Sequence, residues 1–335
     1  MLPQLPRLRS VIRPASAAAS LRRCTADEHP MPYSWPMKKH LLTSLAVFFG
    51  SVLSLAAEPT PAPHMEKVTP RISVIVAGFN GSITVFASEK GPVVVDSADA
   101  ADAPAVQALI RTVDPRPVVA VILTHYHDDH SGGLGTLAAG STLHTQEACL
   151  AAFKRKDPKG AEAVLAKATS VASYEQSARL QFGGDTVLLM HPGRAHTGGD
   201  TVVVFEQEKV IAAGDLAFIG LPPYIDVADG ADTANWASTI ESVSKRYAGF
   251  KVIPGHGPLT DTNGWLDLAK YLRALRQDVA QAIEAGQSRE QAQASVKLEQ
   301  FTGIRDVGDF LTKKTNVGWV YDELTKEKGE LTKKK

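Results

Sequence analysis

Thr124-His125-Tyr126-His127-Asp128-Asp129-His130 follows directly on the apolar run Val118–Leu123. Six consecutive Val, Ala, Ile and Leu residues read as a strand buried on both faces. The chain holds ten histidines in 335 residues, and three stand within the six positions after Thr124. Imidazole and carboxylate are donors that Zn²⁺ selects, with bonds of ~2 Å. His125 and His127 alternate, so in an extended loop both rings point the same way. Asp129 and His130 are adjacent, so their directions diverge toward a second ion. One loop cannot close two coordination spheres, so more His and Asp must arrive from later loops.

Three such residues follow, each after an apolar strand. His196 stands in His-Pro-Gly-Arg-Ala-His-Thr-Gly-Gly-Asp (191–200). Asp215 ends Val-Ile-Ala-Ala-Gly-Asp (210–215), and His256 stands in Val-Ile-Pro-Gly-His-Gly-Pro (252–258). Glycines beside each allow backbone to approach a crowded centre.

This ordered set resembles the metallo-β-lactamase superfamily over about residues 70–260. The resemblance implies an α+β fold, a four-layer αβ/βα sandwich with metals at the lips of its two sheets and a helical C-terminal tail. It implies two Zn²⁺ per chain. His125, His127 and His196 would hold the first, Asp129, His130 and His256 the second, and Asp215 would bridge them. One large class of β-lactamases carries a metal-binding Cys near Asp215, so Gly214-Asp215 is more similar to the glyoxalase II and lactonase branch.

The implied chemistry is hydrolysis. Two Zn²⁺, two carboxylates and a bridging hydroxide leave a net charge of about +1, which favours a developing oxyanion. Metal lowers the pKa of water toward ~7, and the resulting hydroxide attacks a carbonyl in a lactam, lactone, thioester or ester. Asp129 is the catalytic carboxylate that orients this nucleophile and moves its proton. Two other readings stay open. A mononuclear iron oxygenase acting on persulfides would use His125, His196 and Asp215. A non-catalytic scaffold would need none of these residues.

Supporting residues follow from the need to hold imidazoles in one tautomer. Asp96 ends Val93-Val94-Val95-Asp96 and lies beneath the site or serves as a plain turn residue. Thr124 and Thr197 would bond neighbouring ligands. Asp128 is expected to face solvent or cap a helix, His144 and His191 to be polar rim, and Asp200 to cap a turn. Phe218 and Tyr224, in the aromatic, Pro-rich stretch 218–226, line a substrate pocket or seal the core.

Lys+Arg and Asp+Glu are both 36. A net charge of zero excludes a general nucleic-acid binder, which needs basic excess to displace counterions, and leaves a small-molecule substrate as the expected partner. Two cysteines, Cys24 and Cys149, make no disulfide framework; Cys149 reads as a buried inert thiol. Met37-Lys38-Lys39-His40, the apolar Leu41–Leu55 and Ala56-Ala57 have the layout of a secretory signal. The expected organisation is an upstream extension (1–36) ahead of a start at Met37, then a signal (37–56) and a Pro-rich linker (57–67). The catalytic domain (68–260) and a helical C-terminal extension (261–335) follow. The mature chain is expected in the periplasm or outside the cell, with the export signal its only membrane contact; oligomeric state is not readable.

Short Val- and Ile-rich runs at 72–77, 82–87 and 92–96 predict strands, with Asn80-Gly81 as a hairpin turn. Apolar spacing predicts a helix over 103–113. Strands over 178–182, 186–191, 201–205, 209–213 and 250–253 are interleaved with helices over 146–154, 159–167, 234–247 and 264–285. Further helices are predicted over 287–298 and 307–324, ahead of a frayed Lys-rich end. Antiparallel hairpins beside helix–strand connections fit two sheets with helices outside.

Overall fold

Alternation within single strands builds the layers. In the central strand Ala120–Leu123, Ala120 and Ile122 point into one core while Val121 and Leu123 point into another. In Val202–Phe205 of the facing sheet, Val203 and Phe205 meet that first core, and Val202 and Val204 pack against helices. Both strands are buried throughout, which is why each reads as an unbroken apolar run. The computed structural model describes residues 61–77 and 81–333. The expected upstream extension, secretory signal and Cys24 lie outside the described residues, as does Asn80 of the expected turn.

The first sheet follows chain order: β1 (His64–Lys67), β2 (Ile72–Val76), β3 (Ser82–Ser88), β4 (Gly91–Val95), β5 (Ala120–Leu123), β6 (Thr142–Gln146) and β7 (Ser170–Tyr174). Its pairing is antiparallel from β1 to β4 and parallel from β4 to β7. The second sheet comprises β8 (Ser177–Phe182), β9 (Asp185–Met190), β10 (Val202–Phe205), β11 (Val210–Ala212), β12 (Lys251–Ile253) and β13 (Thr260–Asp261). Its order is β13-β12-β11-β10-β9-β8, and only β11 and β12 are parallel.

Helices α1 (Ala103–Val113), α2 (Asp128–Ser131), α3 (Leu134–Leu137), α4 (Glu147–Lys156) and α5 (Pro158–Leu165) lie among the parallel strands of the first sheet. Val106, Ile110 and Leu134 seal its outer face against Val94 and Val121. The C-terminal half adds α6 (Thr233–Arg246), α7 (Thr262–Glu284), α8 (Arg289–Ser295) and α9 (Lys313–Lys333). Trp236, Ile240, Trp265 and Leu272 from α6 and α7 cover Val202, Val204 and Ile211. Between the sheets, Phe86 and Phe205 meet with ring centroids 5.1 Å apart. The result is the expected αβ/βα sandwich.

The details differ from the sequence expectation in four places. β1 occupies the last four residues of the stretch read as linker; all four side chains are exposed, so no buried alternation marks the strand. β7, also mostly exposed, was hidden for the same reason. α7 of the expected extension belongs to the sandwich itself, as its outer helical layer. Val307, Phe310 and Leu311 have helical spacing, yet residues 307–311 form a turn closed by reciprocal Val307–Leu311 backbone bonds. α9 starts only at Lys313, where Thr312 Oγ1 accepts the Thr315 N–H as an N-cap, and it continues through the Lys-rich end to Lys333.

Candidate metal centre

β4 and β5 are parallel neighbours, so their C-terminal ends emerge side by side. Asp96 leaves β4 with φ of 65°, a left-handed conformation that Asp tolerates better than most residues. That turn carries its carboxylate under the next loop. Asp96 accepts the Thr124 N–H at 2.8 Å, the Thr124 hydroxyl at 2.7 Å and His130 Nδ1 at 2.8 Å. The 124–127 segment is thereby held open, and α2 starts directly after His127.

The second sheet delivers the other residues from the loops after β9, β11 and β12. Asp215 sits in a single 3₁₀ turn, Gly214–Leu216. Trp236 and Trp265 both donate their indole N–H to the Leu216 carbonyl, at 3.0 and 2.9 Å, which pins that turn. Gly255 permits the approach: a Cβ there would lie 2.0 Å from Asp215 Oδ1. His256 follows, and its backbone bridges to Phe218.

The side chains converge on the Asp215 carboxylate. Oδ2 lies 3.6 Å from His125 Nε2, 3.4 Å from His196 Nε2 and 3.4 Å from His256 Nε2. Oδ1 lies 3.0 Å from His130 Nε2. Two groups result, each with its ligand atoms within 4.8 Å of one another: His125, His127, His196 and Asp215, and Asp129, His130 and His256. Asp129 Oδ2 is 3.2 Å from His256 Nε2 and 3.5 Å from His130 Nε2.

The opposite ring nitrogens define the tautomers. His196 Nδ1 donates to the Tyr224 carbonyl at 2.8 Å. His127 Nε2 donates to Asp226 Oδ2 at 3.0 Å. His130 Nδ1 donates to Asp96. Thr124 gives its hydroxyl proton to Asp96, so its oxygen accepts His125 Nδ1 at 3.1 Å. With these outward nitrogens protonated, the inward ones present lone pairs, and His127 Nδ1 and His196 Nε2 face each other at only 3.1 Å. In these tautomers His125 Nε2, His130 Nε2 and Asp215 Oδ1 are buried with no hydrogen-bond partner, the last two facing each other at 3.0 Å as two acceptors. Buried polar atoms of this kind cost free energy unless something satisfies them. A divalent cation fits all of these observations.

Charge points the same way. Burial holds His125 well below the usual histidine range and pushes His196 down to about 4, so both rings are neutral donors. Burial opposes charge on His130 as well, but Asp215, Asp129 and Asp96 overcome it and hold its pKa well above the usual value. Burial also opposes charge on His256, and Asp215 and Asp129 raise it to about 9. For Asp215, burial is outweighed by His130, His256 and His125, and its pKa lies well below the carboxylate range. Carboxylates that retain protons on these rings favour a metal cation at the same nitrogens.

The Lactamase_B family model, described as the metallo-beta-lactamase superfamily, matches residues 76–256. The chain belongs to this superfamily. The "Metallo-beta-lactamase type 2" of Bacillus cereus is 32% identical over 181 residues, covering 53% of this chain and 67% of that protein. The protein of the same name from Bacillus sp. (strain 170) is 30% identical over 192 residues, covering 55% and 71%. Among solved structures, a metallo-beta-lactamase from Pontibacter korlensis aligns with a TM-score of 0.53 at 20% identity, over 63% of this chain and 99% of that one. An inverting sec-alkylsulfatase from Pseudomonas sp. aligns with a TM-score of 0.61 at 19% identity, over 78% of this chain but half of that one. These structural likenesses speak for the fold alone. As a metallo-beta-lactamase superfamily member with such homologues, the chain is a metal-dependent hydrolase.

All seven residues of the ordered His/Asp set meet in this one centre, with Asp96 and Thr124 directly beneath it. Thr197 does not bond a ligand as expected. Its N–H and hydroxyl go to Asp200 at 2.9 and 2.6 Å, so the pair shapes the His196 loop instead. Asp128 faces solvent and pairs with Lys156. His144 and His191 lie outside both groups; Cys149 is buried. Phe218 is buried, stacked on His256 with centroids 4.9 Å apart, and seals the core. Tyr224 stays partly open, 5.3 Å from the His127 ring. Asp226 and Tyr126, whose hydroxyl donates to Asp226 at 2.5 Å, were missed. Nothing local in Tyr-Ile-Asp marks a carboxylate whose partner lies about a hundred residues away.

Proposed function

We propose that the chain is a dinuclear zinc hydrolase that opens a carbonyl substrate (a lactam, lactone, thioester or ester) after export from the cytoplasm. The observation that carries this reading is the position of Asp215, whose two oxygens reach one histidine group and the other. His125, His127 and His196 would hold one ion, Asp129, His130 and His256 the other, with Asp215 shared. Two such ions supply Lewis acidity and a water acidic enough to ionise near neutral pH.

The chain's own groups do the rest. Asp129 is the most exposed carboxylate of the centre, at 29%, so it is the one that can meet a water entering from solvent. It accepts a hydrogen bond from that water, orients it toward the carbonyl carbon, takes its proton and returns it to the leaving group. Asp96, Asp226 and the Tyr224 carbonyl keep the imidazoles from turning. The β-lactamase names of the sequence relatives support trying lactams first. The compact Asp129, His130 and His256 group supports two ions over a single iron held by His125, His196 and Asp215. The secretory layout of residues 37–56 supports export.

Elemental analysis of the chain from Ala57, purified without added metal, tests this reading. About two zinc per chain, with turnover of a lactam, lactone or thioester, is the expected result. One iron per chain and oxygen uptake with persulfides would replace it.

A further inference from the structure

Resting on that hydrolase reading and extending it to substrate choice, we propose that Tyr224, Phe310 and Trp319 form the recognition surface for an aryl or branched-alkyl group attached to the substrate carbonyl. Tyr224 is tied to the centre twice. Its carbonyl holds His196, and its ring lies 5.3 Å from the His127 ring and 5.9 Å from that of His196. Phe310 and Trp319 extend the surface outward, at 5.4 and 5.1 Å from the Tyr224 ring and 5.4 Å from each other. Three rings thus run from the histidines to solvent.

Phe310 is the outermost and is 60% exposed, more than any other large apolar side chain among the described residues. Its exposure is built into the backbone. The Val307–Leu311 bonds close the turn that carries it, and Thr315 Oγ1 donates to the Phe310 carbonyl at 2.6 Å. The facing loop is anchored as rigidly: Asn316 Nδ2 donates to the Pro223 carbonyl at 2.7 Å, and Arg305 N–H to that of Gly220 at 2.9 Å. A bare phenyl ring held in a fixed place beside a reactive centre gains from contact with an apolar group.

The loop that carries Tyr224 offers no cation of its own. No Lys or Arg occurs between Asp215 and Asp232. The acids of the stretch are engaged: Asp226 with His127 and Tyr126, Asp229 with Arg155, Asp232 as the N-cap of α6. A substituent lying against Tyr224 and its loop is therefore selected by shape and apolar area, while the Phe310 turn is flanked by Asp309 and Lys313.

The test uses the metal-loaded protein and two probes with the same metal-seeking head, acetohydroxamate and phenylacetohydroxamate, titrated by calorimetry. The phenyl compound is expected to bind about tenfold tighter or more. In Phe310→Ala that ratio is expected to fall to about two, and in Phe310→Leu most of it returns. Equal binding of both probes by the wild-type chain, or an unaltered ratio in Phe310→Ala, overturns this inference alone. Binding of neither probe overturns the metal-centred reading and this inference with it.

Discussion

Asp226 Oδ2 lies 3.0 Å from His127 Nε2 and also receives the Tyr126 hydroxyl. One carboxylate from the loop after Asp215 therefore sets the tautomer of a histidine at the end of the other sheet. Burial alone would raise its pKa, but His127 and Tyr126 hold it well below the ordinary carboxylate range.

Asp226→Asn is expected to weaken metal binding at the His127 group by 10–100-fold, the usual cost of losing a partner behind a ligand. The Asn side chain can turn its NH₂ toward Nε2 and favour the wrong tautomer. A chelator-competition titration measures this, and Tyr126→Phe should fall between wild type and Asp226→Asn. Equal affinities in all three would leave Asp226 with only a packing role.

Asp215→Ala removes the group shared by both halves of the centre. On the two-ion reading proposed above, metal content is expected to fall from about two ions to one or fewer, and turnover by on the order of 10³-fold. The circular dichroism spectrum should be retained, because the Leu216 carbonyl still receives both indoles. Near-normal turnover in this variant would sink the role given to Asp215.

Asn316 is fully buried, donates to the Pro223 carbonyl and accepts the Tyr271 hydroxyl at 2.8 Å. Asn316→Ala leaves both without their partner, a loss of about 1–3 kcal/mol for such buried groups. Urea unfolding should register that loss. The variant should also bind metal more weakly, since the Pro223 loop carries the Tyr224 carbonyl. A change in stability with wild-type metal affinity would separate the two roles.

Away from the centre, Arg71 bonds Asp185 at 2.5 Å, and this contact holds the Asp185 pKa below the ordinary value. A carboxylate depressed in the folded state stabilises the fold above its unfolded pKa of ~3.9. That contribution disappears as pH falls through the lower, folded value. Asp185→Asn is expected to be less stable than wild type at pH 6, with the two curves approaching each other in acid. Parallel curves from pH 6 to pH 3 would contradict it. Arg71 is over one-third exposed, so salt should shrink the difference.

What was readable in the sequence was local. His125, His127, Asp129 and His130 share one loop, and His196, Asp215 and His256 each carry glycines and a preceding apolar strand. Buried strands such as β5 and β10 announce themselves because both faces are apolar. Exposed strands do not: His64–Lys67 has no buried side to imprint a pattern. The Val307, Phe310 and Leu311 spacing imitates a helix, although only Val307 and Leu311 pack against the core and Phe310 is exposed. Asp226, the Tyr224 carbonyl and Asn316 act on partners 28 to 99 residues away. No spacing rule reaches that far, and a backbone carbonyl has no side-chain identity to read.

Asn316 has one more consequence, for how the centre comes apart. The Pro223 loop behind His196 and His127 is clamped from α9, 93 residues further along the chain. Fraying of α9 therefore loosens the metal centre without touching any of its seven histidine and aspartate residues, so local opening of the outer helical layer and metal release are coupled.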